Sequence, residues 1–305
     1  LSIVNAGLNE LRKRMGDLRS ADPNAPAGAW MRGYAKHLRI HEKVGAKMDL
    51  LGIEGGVDMM MHALNGRVYF GVMGGYLYAD NVHVFQSENP DAKGNAKTPT
   101  AGIYATWIGD KSGWFVDLTA RHFWIRTDLN HIIRNDDING YDVKRRFWAV
   151  TAETGRLFDF KAPSFINVGS THASMITVEP KAEVRYIHGN SKDFMMTLGE
   201  NAFVDTTHSL TTHLNVQTSF LPNGMQSVWK PYIELGAYYE WMGKTKIRYA
   251  DTHLTSSDLG GLGVETSVGV NANLWKNAYL YGALTWETGK AYTSYLLNAG
   301  VRVSF

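Results

Sequence analysis

Asp117, Glu153 and Glu183 are the carboxylates best placed for chemistry, because each lies in an alternating run on the face opposite apolar neighbours. Trp114, Val116, Leu118 and Ala120 leave Phe115, Asp117, Thr119 and Arg121 together; Glu153 shares its face with Thr151 and Gly155. Glu179, Lys181, Glu183 and Arg185 likewise oppose Val178, Pro180, Ala182, Val184 and Tyr186. Such acids can serve as general acids or bases, or pair with the cations interleaved among them. Among the eleven histidines, His122, His131, His188, His208 and His213 are candidates for a hydrolase. None stands beside a serine or an acid in a recognisable nucleophile and base arrangement. Gly260-Gly261-Leu262-Gly263 opens a strand with no helix after it, so it cannot cradle a phosphate. No paired metal-ligand spacing is found, and neither metal nor cofactor is expected. A net charge of +2, with basic residues scattered among acids, offers no general attraction to nucleic acid.

The elements that must position these groups are strands. Twelve alternating runs are predicted, at 28–39, 48–61, 67–80, 100–109, 113–126, 143–158, 175–188, 208–221, 228–242, 261–275, 277–288 and 293–305. In the clearest, Val264, Thr266, Val268, Val270, Ala272 and Leu274 oppose Glu265, Ser267, Gly269, Asn271 and Asn273. From Trp229 to Trp241, Pro231, Ile233, Leu235, Ala237 and Tyr239 oppose Lys230, Tyr232, Glu234, Gly236 and Glu240. Connections also alternate: those at 64–67, 109–113, 221–228 and 275–277 are brief, while 36–48, 80–99, 127–142, 189–207 and 243–260 read as long and polar. Two break the pattern, since 159–174 is long where a short turn is due and 289–292 is short where a long loop is due. A soluble sandwich also alternates, but its strands average about 5–6 residues, against about 10–14 in these runs.

An all-β transmembrane barrel of about twelve antiparallel strands follows, with apolar groups outward to lipid and polar groups inward. No stretch approaches the roughly 18 uncharged residues of a spanning helix. Abundant glycine, tyrosine and tryptophan suit strands that turn corners and rings that rest at a lipid interface. The absence of cysteine fits passage through an oxidising periplasm without disulfide staples. The last run ends on outward Val301, Val303 and Phe305, as a closing barrel strand would. Leu1 to Ser20 carries charges where the apolar core of a signal peptide would fall, so the chain reads as a processed form or part of something longer.

Residues 1–27 differ. Val4, Leu8, Leu11, Met15 and Leu18 recur at helical spacing, with Glu10, Arg12, Lys13, Arg14, Asp17 and Arg19 on the remainder. Ala21 to Gly28, with two prolines, ends this predicted amphipathic helix. It either lies in the lumen of the barrel formed by 28–305, which is wide enough for one helix, or forms a periplasmic stub or a remnant of a neighbouring domain.

Four segments carry a resemblance over essentially the whole chain. Leu11-Arg12-Lys13-Arg14-Met15-Gly16-Asp17-Leu18-Arg19, Gly28-Ala29-Trp30-Met31-Arg32-Gly33, Glu179-Pro180-Lys181-Ala182-Glu183 and Val301-Arg302-Val303-Ser304-Phe305 resemble, in order and spacing, the translocator domain of monomeric type V autotransporters. The resemblance implies a barrel plugged by its N-terminal helix, which helps carry an upstream passenger domain to the surface of a Gram-negative cell and then anchors it. It also implies a monomer in the outer membrane, periplasmic chaperones as partners, and Bam assembly machinery reading Val301, Val303 and Phe305.

One branch of that family releases its passenger by cyclisation of a lumenal asparagine, promoted by inward acids. Asn9, Asp117, Glu153 and Glu183 occupy the matching positions, but Glu10 stands where that branch has a second asparagine. A helix also opposes the geometry of succinimide formation. The alternative role for the acids is docking: Arg12, Lys13, Arg14 and Arg19 on the helix would pair with inward Asp117, Glu153, Glu179 and Glu183, beside wall cations Arg121 and Arg185. Two rival functions remain, a barrel hydrolase of the outer membrane and a simple porin-like barrel; the latter would lack the N-terminal helix.

Overall fold

The computed structural model describes residues 1–8, 18, 24–41, 44–86, 89–132, 138–163, 173–195, 199, 201–249, 253–275 and 277–305. A short helix α1 (Ser2–Gly7) precedes strands β1 (Ala27–Ile40), β2 (Val44–Ala63), β3 (Gly66–Gln86), β4 (Asn89–Gly109), β5 (Trp114–Ile132) and β6 (Ile138–Arg156). There follow β7 (Phe158–Lys161), β8 (Met175–Gly189), β9 (Lys192–Met195), β10 (Asn201–Val204), β11 (Thr207–Leu221) and β12 (Trp229–Glu240). The chain ends with β13 (Lys244–Tyr249), β14 (His253–Asp258), β15 (Gly261–Trp275), β16 (Ala278–Gly289) and β17 (Tyr292–Ser304).

Twelve of these form a closed antiparallel barrel: β1 to β6, β8, β11, β12, β15, β16 and β17, with β7 continuing the line of β6 against the start of β8. Closure joins β1 to β17 from Gly28↔Ser304 to Ile40↔Tyr292. Ala27 and Phe305 extend that ladder by exchanging backbone hydrogen bonds of 3.1 and 2.9 Å. A closed ladder leaves no open strand edge, the condition for β-structure in hydrocarbon.

Side-chain polarity is inverted relative to a soluble barrel. Val268, Val303 and Leu235 face outward, the last 57 % exposed, whereas Glu265, Ser267 and Asn298 are buried inside. Trp114, Trp229, Trp275 and Phe305 ring the end with short turns; Trp124, Trp148, Tyr239, Trp241 and Trp286 ring the other. Trp114 and Trp124 are ten residues apart on β5, about 33 Å along a strand. With a tilt of about 40° this spans an apolar band about 25 Å tall. Ala272 departs from the predicted parity: it is buried, and the register with β16 shifts beyond it, between Ala272 and Trp275.

The turns at the short end depend on particular residues. Leu64 and Asn65 join β2 to β3 with φ of 54° and 53°, the two positive values of a type I′ hairpin. Gly113, at φ 72°, lies so close to the Leu157 carbonyl that a Cβ would collide with it.

At the opposite end the structure corrects the sequence reading. Much of what reads as polar loop is strand: β2 begins at Val44, and β3 and β4 remain paired as far as Gln86↔Asn89. Between 189 and 260, β9, β10, β13 and β14 build a separate four-stranded sheet. Outside the lipid a strand needs no apolar face, so ladders continue through Lys-, Asn- and Gly-rich segments that lack alternation. Loop 289–292, unexpectedly short, is a tight connection between Thr288↔Thr293, and on the far side Ala162 pairs with Ser174 across residues 163–173.

A lumenal helix tethered to the barrel wall

The inner wall has two unlike halves. On β1 to β6 and β8, Leu38, Met48, Leu50, Ala79, Phe123, Ile125, Leu129, Phe147 and Ile187 form an apolar patch that receives Val4, Ala6 and Leu8. The expected watery centre is thus greasy where α1 lies. Burying Val4 and Leu8 stabilises docking by about 1.5–3 kcal/mol each, and the Ala6 methyl by about 0.8 kcal/mol. The β11 to β16 half presents Thr211, His213, Asn215, Gln217, Glu240, Glu265 and Asn271 instead. There Glu240 accepts from Ser209 at 2.6 Å and Thr211 at 2.7 Å, and Lys36 crosses to Glu287 at 2.8 Å.

Helix α1 ends sooner than the sequence predicts. Leu8 donates to Val4 at 3.1 Å but is itself extended, with φ −86° and ψ 122°. The carbonyl of Gly7 is taken by the wall: Arg121 Nη1 donates to it at 2.7 Å and Arg32 Nη2 at 3.3 Å. The last carbonyls of a helix have no partner within it, and cations are favourable there. Glycine, a poor helix former, adds little resistance to stopping at this point. Glu54 lies between the two guanidinium groups, ion-paired to Arg121 and to Arg32, the latter at 2.5 Å. All three side chains are buried.

Below this tether, Leu18 rests among Trp30, Tyr69, Met73, Tyr104, Ile108 and Phe115, at the level of the short turns. Leu18 thus lies on the barrel's inner side nearer the short turns than α1, and β1 begins at Ala27. Beneath Leu18 a second buried network locks the closing strands: Arg302 grips Asp58 with two bonds of 2.6 and 2.5 Å, Tyr104 donates to Asp58 at 2.7 Å, and Trp30 donates to Tyr104 at 2.8 Å.

The predicted docking of helix cations on wall acids falls on residues outside the described ones. Asn9, Arg12, Lys13, Arg14 and Arg19 lie outside the described residues. Asp117, Glu153 and Glu183 face inward as expected and are register neighbours across β5, β6 and β8. Asp117 accepts from Thr106 at 2.5 Å, Glu183 pairs with Arg185 at 3.0 Å on its own strand, and Lys181 pairs with Glu234 at 2.5 Å. Glu179 is buried on the same wall. Arg121 meets the helix as a wall cation on a helix carbonyl. Arg32, Glu54, Asp58 and Arg302 were not in the predicted set. Their signal is present, since each is a charge at inward parity within an alternating run.

The histidines weighed for hydrolysis are dispersed. His122 is wedged edge-on between Trp124 and Trp148 on the outer face, and His188 and His208 lie with tilted rings 5.0 Å apart on that face. His213 faces inward, 3.4 Å from Glu265. Among the described residues no group of three histidines or acids is placed to hold a metal.

A closed twelve-strand barrel with a lipid belt, two aromatic girdles and its own N-terminal chain tethered in the pore defines an outer-membrane translocator of the Gram-negative cell. The family model for the autotransporter beta-domain matches residues 29–285, and the chain belongs to that family. It is 28 % identical to the BrkA autotransporter of Bordetella pertussis, over 100 % of this chain and 28 % of that protein. The beta domain of BrkA from Bordetella superposes with a TM-score of 0.71 at 24 % identity, covering 92 % of this chain and 100 % of that one. The transport unit of AIDA-I from Escherichia coli gives 0.72 at 14 % identity, covering 100 % and 97 %. The chain spans about a quarter of the length of the curated relative BrkA.

Proposed function

We propose that this barrel passes a passenger domain, joined ahead of Leu1, through its lumen and then anchors it at the cell surface, with no turnover of a small substrate. The observation that carries this is the course of the N-terminal chain. From Ala27 at the short-turn end it leads through Leu18 in the lower cluster to α1 in the upper one, so a segment preceding Leu1 is directed to the end with the long hairpins. The chain has no cysteine, which permits a clean test. A single cysteine in a tag fused ahead of Leu1 should react with a membrane-impermeant maleimide on intact cells. Labelling only after the outer membrane is permeabilised would refute the threading direction.

Partners follow from the same reading: outer-membrane lipid around the belt, periplasmic chaperones before insertion, and Bam assembly machinery at the final strand. The barrel acts as a monomer. The outward rings and methyls of Val301, Val303 and Phe305 support the Bam assignment, the Phe305 ring being 62 % exposed while its backbone closes the barrel. Phe305→Ala should lower the assembled fraction in cells without changing the stability of barrels refolded in detergent; undiminished assembly would contradict the assignment.

Asp117, Glu153 and Glu183 serve the wall by pairing and hydrogen bonding rather than by promoting cleavage beside Asn9. The intact mass of protein isolated from cells should then be the same in wild type and in Asp117→Asn. A shorter wild-type chain restored to full length by that substitution would reverse this reading.

A further inference from the structure

A row of cations crosses the outer wall just above the upper aromatic girdle. Lys97 on β4, Arg126 on β5 and Lys144 on β6 are direct register partners, and all three are exposed on the outward face. One step nearer the lipid, Arg146 is exposed beside its register partner Trp124; a further step down, His122 pairs with Trp148. Trp124 and Trp148 mark the lipid boundary, so the cations stand about two residues, or about 5 Å of height, above it. Of the acids close by, Asp80 stands on β3 two residues beyond the register partner of Lys97, and Asp128 and Asp142 are themselves register partners. Both approach Arg126, Asp142 at 2.7 Å and Asp128 at 3.8 Å.

Like charges placed directly opposite on neighbouring strands are destabilising. Two carboxylates gathered on one arginine leave the flanking Lys97, Lys144 and Arg146 facing the membrane surface. A phosphate group is the anion whose charge and acceptor geometry suit a fork of arginine and lysine donors, and a surface at this height meets lipid headgroups. We propose that this face of β4 to β6 holds the phosphorylated glycolipid of the outer leaflet: the phosphates lie on Lys97, Lys144 and Arg146, and the acyl chains pass Trp124, His122 and Trp148. Barrel and leaflet are thereby coupled on one side, and rotation of the barrel in the membrane is restricted.

The test compares full-length protein purified in detergent and incubated with bis-phosphorylated lipid A, with its dephosphorylated form, or with inorganic phosphate alone. Bound lipid is counted by native mass spectrometry. Wild-type protein should retain the phosphorylated lipid at least tenfold better than the dephosphorylated one, and inorganic phosphate should not compete at millimolar concentration. The variant K97Q/K144Q/R146Q should lose most of that retention, whereas R39Q/K47Q, which alters a register pair of the exposed β1 and β2 wall, should keep it. Equal retention of both lipids, equal loss in both variants, or displacement by inorganic phosphate would each overturn the proposal. Should the triple variant fail to assemble, the comparison of the two lipids on wild-type protein still decides.

Discussion

Arg121 and Glu54 meet inside the barrel as a buried ion pair whose arginine also donates to the carbonyl that ends the lumenal helix. Neither residue belongs to the helix. The plug is thus held by a device built wholly into β1, β2 and β5, and its strength can be changed without touching α1.

Arg121→Ala should cost about 1–3 kcal/mol, because Glu54 loses one charged partner and keeps only Arg32. The temperature at which folded barrel converts to its unfolded electrophoretic form should fall. Arg121→Lys should recover part of the loss, since a single ammonium cannot match a guanidinium that serves both Glu54 and Gly7. Full recovery by Lys would show that the bond to Gly7 contributes nothing.

Arg302→Gln should act at the seam. It removes the two-bond grip on Asp58, which ties β17 to β2 across β1, and about 3–5 kcal/mol of stability should go with it. Hydrogen exchange should rise first at the amides joining β1 and β17. Uniform loss of protection around the barrel would place the effect elsewhere.

Gly52 is required by its register partner. Tyr34 lies flat over it, and a Cβ at Gly52 would overlap the ring, whereas at Gly33 the nearest atom would be 3.9 Å away. Gly52→Ala should cost about 1–3 kcal/mol by overpacking, and Gly33→Ala should be nearly neutral. Both are read from the unfolding midpoint in detergent.

Much of this was legible from period-two alternation. Trp114 to Arg121, Trp229 to Glu240 and Tyr295 to Phe305 face as their sequences dictate, because within lipid each outward position must be apolar. The reading faltered wherever lipid no longer imposes that rule. The strand extensions beyond Asp80 and the sheet formed by β9, β10, β13 and β14 carry polar residues on both faces. Inside the lumen, parity tells that Arg32, Glu54 and Arg121 point inward, but not which of them meet, since Arg121 and Glu54 lie on non-adjacent strands of a curved wall. The end of α1 is not legible in the sequence for a related reason. Helical spacing runs on from Val4 to Leu18, whereas the stop at Gly7 is set by guanidinium groups more than twenty residues away in sequence.

Arg32, Glu54 and Arg121 hold α1 as a plug in the pore, and single-channel conductance in planar bilayers tests this most directly. Wild-type protein should show a small, steady conductance. Replacing both Arg32 and Arg121 with alanine should raise it several-fold with frequent transitions between levels, as the helix leaves and re-enters its greasy seat. A doubly substituted barrel that folds and conducts like the wild type would contradict the account.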